Sequence, residues 1–192
     1  MKRKIIIAGA WLLALTVVAA SDPGMDAYNT EDYGKALALW RPLAEQGNAE
    51  AQYGMALLYD DGYGVPRDEA QAILWYRKAA SQGYAAAQYN LGVAYDEGEG
   101  VPQDKAKAVE WYRLAANQGD VDAEYNLGVS YDDGEGIAED NAEAAKWYRK
   151  AADQGDSDAQ FALGDLYQKG EGVPQDIDQA KAWYRKAADQ GS

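Results

Sequence analysis

Apolar residues recur along this chain at helical spacing, and the spacing itself repeats. Ala72, Trp75, Tyr76, Ala79 and Ala80 stand at i, i+3, i+4, i+7 and i+8, one face of an amphipathic helix. The same stripe returns 36 residues later as Ala108, Trp111, Tyr112, Ala115 and Ala116, and again in the next two units. A second pattern precedes each stripe. Ala87, Leu91, Ala94 and Tyr95 predict a helix whose first counterpart runs approximately from Glu50 to Asp61. The run Asp96-Glu97-Gly98-Glu99-Gly100-Val101-Pro102 joins the two as a loop, with two glycines for unusual backbone conformations and a proline before the next helix start. The third unit departs here, with Ala138-Glu139 in place of Pro-Gln. Gly47, Gly83, Gly119, Gly155 and Gly191 close the phrases at a period of 36. A fixed period of this size predicts a stacked helical array rather than one globular core.

Local signals agree with that register. Asp68, Asp104, Asp140 and Asp176 stand four residues before the first stripe alanine, as N-caps for the second helix. Gln71, Glu143 and Gln179 lie three residues further on, the place of a capping-box partner, and Lys107 departs from it. Arg77-Lys78, Arg149-Lys150 and Arg185-Lys186 suit the negative end of the helix dipole. The closing glycine reads as a left-handed helix stop. Gly92, Gly128 and Gly164 share one mid-helix position, filled by Ala56 in the first unit. Glycine there costs about 1 kcal/mol relative to alanine, so its recurrence predicts a close approach beneath a neighbouring aromatic ring. The chain divides into an N-terminal half repeat with an entry helix at 28–47, then units at 48–83, 84–119, 120–155 and 156–191.

Residues 1–21 read differently. Lys2, Arg3 and Lys4 precede an apolar run from Ile5 to Ala20 that ends in small residues, the pattern of a signal peptide cleaved near Ala20/Ser21. The run is shorter than the roughly 20 residues of a spanning helix, and no cysteine follows it for lipid attachment. The expectation is a periplasmic or secreted protein with no stable membrane anchor after cleavage.

Charge and composition then narrow the chemistry. Removing those three cations from the 18 Lys and Arg leaves 15 against 32 Asp and Glu, a net charge of −17. Such a chain repels phosphate backbones and anionic lipid, which argues against nucleic acid and favours a protein or peptide partner, a basic one in particular. There is no cysteine and no histidine. That removes Ser-His-Asp and Cys-His nucleophiles and His or Cys metal sites. No cofactor is expected.

Ala87-Gln88-Tyr89-Asn90-Leu91-Gly92, the loop from Gly98 to Pro102, and Ala108 through Trp111-Tyr112-Arg113 together resemble the Sel-1-like repeat, a relative of the tetratricopeptide repeats. The half repeat, with Trp40-Arg41-Pro42-Leu43 in place of Trp-Tyr-Arg-Lys, looks like an entry helix of such arrays. The resemblance implies an all-α, right-handed α-solenoid of paired antiparallel helices, with first helices on the concave face. It implies an exported scaffold or adaptor, in a family linked to envelope signalling and host contact, and not an enzyme. The competing class is a β-lactamase-like hydrolase, since some cysteine-rich exported relatives have been described as such. Those relatives carry a cysteine pair per repeat and this chain carries none. Ser130 sits where Ala94 and Leu166 sit in other units, which makes it a packing residue rather than a nucleophile.

If tetratricopeptide geometry carries over, the concave groove is built from Tyr53, Tyr89, Tyr125 and Phe161, from Asn90 and Asn126, and from Leu57, Val93 and Val129. Asp60-Asp61, Asp96-Glu97 and Asp132-Asp133 rim it. The partner-binding set is therefore Tyr89, Asn90, Val93, Asp96 and Glu97, with Tyr125, Asn126, Val129, Asp132 and Asp133. Asparagine amides donate and accept, which suits a peptide backbone, and tyrosines add rigid apolar area. The acidic pairs end their helices, where the dipole disfavours them by about 0.3–1 kcal/mol each. Two roles compete: pairing with Arg77, Arg113 or Arg149, which is the favoured reading, or a ladder for a cationic partner. A calcium site at Asp132-Asp133-Gly134-Glu135-Gly136 lacks the alternating ligand spacing such loops need. In the last unit Asp165, Gln168-Lys169 and Asp178 replace valine, the acidic pair and alanine, as a polar terminal face requires. Trp183 and Tyr184 are expected there to be less covered than their counterparts.

Overall fold

A computed structural model describes residues 22–190, and the signal-peptide reading falls outside them. The described chain is ten helices: α1 (Pro23–Asn29), α2 (Tyr33–Glu45), α3 (Ala49–Asp61), α4 (Glu69–Ser81), α5 (Ala85–Glu97), α6 (Lys105–Ala116), α7 (Val121–Asp133), α8 (Asn141–Asp153), α9 (Ser157–Lys169) and α10 (Ile177–Ala188). Packing is dominated by helices consecutive in the chain, and α1 also reaches α3. The result is an all-α solenoid of helix pairs, with α3, α5, α7 and α9 as first helices and α4, α6, α8 and α10 as second helices. Helix α1, capped by Asp22 and opened by Pro23, lies ahead of the repeat pattern and was not predicted by it.

The caps form as the spacing predicts. Asp68 and Asp104 accept from the backbone N–H three residues on, and Asp140 and Asp176 accept from two such groups each. The capping boxes do not form. Each of these aspartates donates its own N–H to a tyrosine carbonyl at the end of the preceding helix, from Asp68 to Tyr59 through Asp176 to Tyr167, at 2.8–2.9 Å. The donor is already satisfied, and Glu143 turns to Lys146 instead. Gly47, Gly83, Gly119 and Gly155 adopt φ between 87° and 102°, the left-handed stop.

Two devices lock the array, one between the two helices of a unit and one between neighbouring units. The first is the aromatic wedge. A Cβ on Gly92 would lie 2.5 Å from the Tyr112 ring, and Gly128 and Gly164 stand in the same way beneath Tyr148 and Tyr184. Close approach explains these glycines. In the first pairs the wedge is Trp40, 1% exposed. Its indole fills the space beside Gly24 and Gly54, and its Nε1–H donates to Asp22 at 2.6 Å.

The second device is a buried amide bridge. Gln52, Gln88 and Gln160 donate to the carbonyls of Ala44, Ala80 and Ala152 in the preceding unit, each at 3.1 Å. Their side-chain oxygens accept from Gln82, Gln118 and Gln190 at 2.7–3.0 Å. A buried amide with both ends paired satisfies its polar groups and fixes the register between units.

The last unit is only partly as expected. Tyr184 is half-buried where Tyr76, Tyr112 and Tyr148 are buried, but Trp183 is more covered than Trp75, Trp111 or Trp147, at 5% exposure. Lys186 lies 3.7 Å from its ring centroid and Arg149 at 5.8 Å, so cations cover it from its own helix and from α8. The terminal face also carries Lys181 at the position of the buried Ile73, Val109 and Ala145.

Candidate functional site

The first helices turn one stripe into the array and another outward. On α5, Tyr89, Asn90 and Val93 are half-buried, Asp96 is half-buried and Glu97 is exposed; on α7, Tyr125, Asn126, Val129, Asp132 and Asp133 follow the same order. All ten residues of the expected partner-binding set are thus at least partly accessible and share one helical face, repeated at the unit spacing.

Many of these side chains are already engaged. Asn90 donates through Nδ2 to the Tyr76 hydroxyl at 2.8 Å, and that hydroxyl donates to Asp60 at 2.9 Å. The asparagine therefore belongs to a chain of hydrogen bonds between units. Asn126 lies near the Tyr112 and Tyr89 hydroxyls and lowers the pKa of both, against the larger effect of burial. Tyr89 and Tyr125 lean on Tyr112 and Tyr148 with ring centroids 6.0 and 5.8 Å apart.

Burial and a nearby aspartate govern the tyrosines. Desolvation, then the charge of Asp60, Asp96 or Asp132, pushes the Tyr76, Tyr112 and Tyr148 hydroxyls far above the ordinary phenol range, so they keep their protons at any working pH, and Tyr76 and Tyr148 donate theirs to Asp60 and Asp132. Burial raises the Asp132 carboxyl above the usual carboxylate range, the Tyr148 hydrogen bond opposes this, and Asp133 adds to it.

The acidic pairs do not pair with the second-helix arginines. Arg77 and Arg113 donate to Tyr95 and Tyr131 hydroxyls at 2.9 Å, and Arg149 donates to Tyr167. Each arginine meets the tyrosine ending the next first helix because the rise of one unit carries it past its own acidic pair. The first acid of each pair is nonetheless structural. Asp60 and Asp132 accept from Tyr76 and Tyr148, the latter at 3.3 Å, and Asp96 accepts from Lys105 at 2.7 Å. Of the second acids, Asp61 accepts from Tyr28, whereas Glu97 and Asp133 face solvent.

A cavity of about 180 Å³ opens between the first two complete units, lined by Asp60, Glu69, Ile73, Tyr76, Tyr89, Asn90, Val93, Ala94 and Glu99. Its walls are aliphatic and aromatic on one side and carboxylate on the other. Glu69 and Glu99 were not singled out by the repeat pattern, because neither lies on a first-helix groove position. The comparison of units at position 69 (Glu69, Lys105, Asn141) carries the signal that finds them.

Among the described residues, no cluster of three or more Asp or Glu could hold a metal ion, and no helix is long and apolar enough to cross a membrane. Ser130 is 7% exposed and its Oγ donates to the Asn126 carbonyl at 2.9 Å, a helix-internal bond.

Comparison with known proteins follows the same register. A family model described as the Sel1 repeat matches residues 29–48, 49–84, 85–120, 121–156 and 157–192. Among solved structures, the chain is similar to a protective antigen present in uropathogenic Escherichia coli strains and displaying an SLR fold. That likeness has 47% identity and a TM-score of 0.79, over 81% of this chain and 33% of the other. The chain thus spans about a third of that antigen's length. It is also similar to a Sel1 repeat protein from Oxalobacter formigenes, with 38% identity and a TM-score of 0.83 over 88% of this chain and 70% of the other. Helicobacter pylori cysteine rich protein B, at 23% identity and a TM-score of 0.53 over 67% of this chain and 92% of the other, shares the fold alone. No curated protein matches the chain.

Proposed function

The chain belongs to the Sel1 repeat family, in general a family of non-catalytic protein–protein interaction scaffolds, and from that premise we propose that it is an exported adaptor holding a peptide or protein surface along its first helices. The residues we assign to partner binding are Tyr89, Asn90, Val93, Asp96 and Glu97 on α5 and Tyr125, Asn126, Val129, Asp132 and Asp133 on α7. The observation that carries this reading is the repetition of one accessible row of tyrosine, asparagine, valine and acid on consecutive first helices.

The chemistry of that row favours an extended, basic partner. Rigid rings supply contact area at low entropic cost, the asparagines supply amides, and Glu97 and Asp133 supply uncompensated charge at the rim. A net charge of −14, or −17 once residues 1–21 are removed, draws cationic partners from a distance and raises their association rate. The setting we favour is the bacterial envelope or its exterior, in signalling or host contact. The N-terminal pattern at 1–21 supports it, and the description of the 47% identical relative as a protective antigen is consistent with it.

The test is capture of binding partners from the envelope fraction of the source organism. The double variant Asn90→Ala, Asn126→Ala and the charge reversal Glu97→Lys, Asp133→Lys should each lose the partner while retaining wild-type helicity by circular dichroism. Undiminished capture by both folded variants rules out this face.

A further inference from the structure

At each of the three contacts between complete units, two carboxylates flank a position whose residue changes from unit to unit. Asp60, Asp96 and Asp132 occupy equivalent positions, as do Glu99, Glu135 and Glu171. Between them stands the first residue of the second helix, which is Glu69, Lys105 and then Asn141. The backbone around this residue is the same at successive units, since Gly100 packs against the carbonyl of Glu69 and Gly136 against that of Lys105.

At the middle contact the site is filled from within. The Lys105 ammonium lies 2.7 Å from Asp96 and 2.9 Å from Glu135, bridging the two carboxylates. These hydrogen bonds also hold its pKa above the ordinary lysine value. At the first contact the bridging cation is replaced by a third carboxylate. Glu69 pairs with Arg67 at 3.0 Å, both largely exposed, and Arg67 borders a surface pocket that it shares with Asp60, Asp61 and Glu99. Among the described residues no lysine or arginine lies within ion-pair distance of Asp60 or Glu99. The roughly 180 Å³ cavity lies at this contact, with Ile73, Val93, Ala94 and Tyr89 as its apolar wall.

We infer that this cavity is a receptor for a lysine side chain supplied by the bound partner, its ammonium seated between Asp60 and Glu99 as that of Lys105 is between Asp96 and Glu135. A lysine has the matching shape, four methylenes ending in a compact charge. Its stem runs along the apolar wall while the head meets the carboxylates. The inference rests on the adaptor reading and names the partner chemistry it selects.

The experiment uses the full chain without its leader and a capped pentapeptide, Ala-Ala-Lys-Ala-Ala, against the same peptide with acetyl-lysine. Amide shifts are followed by two-dimensional NMR. The lysine peptide should perturb the amides of Glu69, Asn90 and Glu99, and the acetylated peptide should not. Glu69→Lys should fill the site with the protein's own ammonium and weaken the response about tenfold or more. Lys105→Glu should open a second site, adding a lysine-dependent response at Glu135 and Asn126. No response from the wild type, an equal response to acetyl-lysine, or a wild-type response from folded Glu69→Lys each overturns the inference. If partner capture depends on Asn90 and Asn126 but not on Glu69, the adaptor reading stands and the lysine receptor falls. Loss of both sensitivities removes both.

Discussion

Gln154 donates to the Glu124 carboxylate at 2.8 Å, where every other unit joins two carboxamides. Glu124 is 3% exposed and sits where Gln52, Gln88 and Gln160 each donate to an alanine carbonyl eight residues earlier. A carboxylate can take the bond from Gln154 but has no proton to give to Ala116. Burial, partly opposed by the Gln154 bond, raises the Glu124 pKa above its ordinary value.

Glu124→Gln should therefore stabilise the protein by about 1 kcal/mol at neutral pH, because it restores a donor to the buried bridge and removes a buried charge. The sign of the pH dependence follows from the raised pKa. An acid whose pKa the fold raises contributes stability that is complete below its unfolded pKa and is lost as pH rises through the folded value. The wild type should lose stability from Glu124 over that window and the variant should not. Urea denaturation at pH 4 and pH 7 measures both effects.

Gly54→Ala tests the tryptophan wedge. The added methyl would lie 2.3 Å from Cδ2 of Trp40, a ring pinned at its far side by Asp22. Alanine gains about 1 kcal/mol in helix propensity, while overpacking costs typically about 1–3 kcal/mol. With the ring unable to retreat, the cost lies at the upper end and the net loss reaches up to about 2 kcal/mol. Thermal denaturation decides it, and an unchanged or raised melting temperature shows that the ring yields.

Much of this was legible before the structure. The N-cap aspartates and the helix-stop glycines follow from local chemistry that acts within one or two turns of chain, and the period of 36 and the recurring mid-helix glycines show when the units are aligned. What escaped depends on how helices meet in space, within a unit or from one unit to the next. Arg113 reaches Tyr131 rather than Asp96, and the Asp140 N–H reaches the Tyr131 carbonyl rather than Glu143. Gln88 carried no marker of its bridging role, since a polar residue inside an apolar stripe looks like an interruption until its partners are placed. The accessible row around Asn90 and Asn126 was found by register. Its second duty, bonding Asn90 to Tyr76, was not.

The helix start of α8 separates the two local signals. Asp140 accepts from the N–H groups of Ala142 and Glu143 at 3.0 Å, whereas Glu143 turns away to Lys146. Asp140→Ala should cost about 1 kcal/mol, the usual value of an N-cap. Glu143→Ala should cost no more than about 0.5 kcal/mol, as for an exposed helix ion pair. Equal losses in chemical denaturation imply a working capping box after all.

Lys181 tests what keeps the end of the array open to solvent. Its counterparts Ile73, Val109 and Ala145 are buried at 4–5% exposure beneath the following first helix. On α10 that covering helix is absent among the described residues, and Phe161, 55% exposed, lies on the same end beside Tyr184 and Ala188. A long charged side chain shields apolar surface while its ammonium stays hydrated, and on the last described helix it disfavours stacking of that face on another array. Lys181→Ile would add an exposed apolar residue to the helix that carries Ala188, whose end also exposes Phe161. Self-association of solenoid ends is heterologous and need not close, so it should grow with concentration rather than stop at a dimer. Sedimentation velocity across a hundredfold range of concentration should show the variant shifting to larger species while Lys181→Glu stays at the wild-type value. If Lys181→Ile sediments as the wild type does, the acidic surface around the patch rather than Lys181 keeps the ends apart.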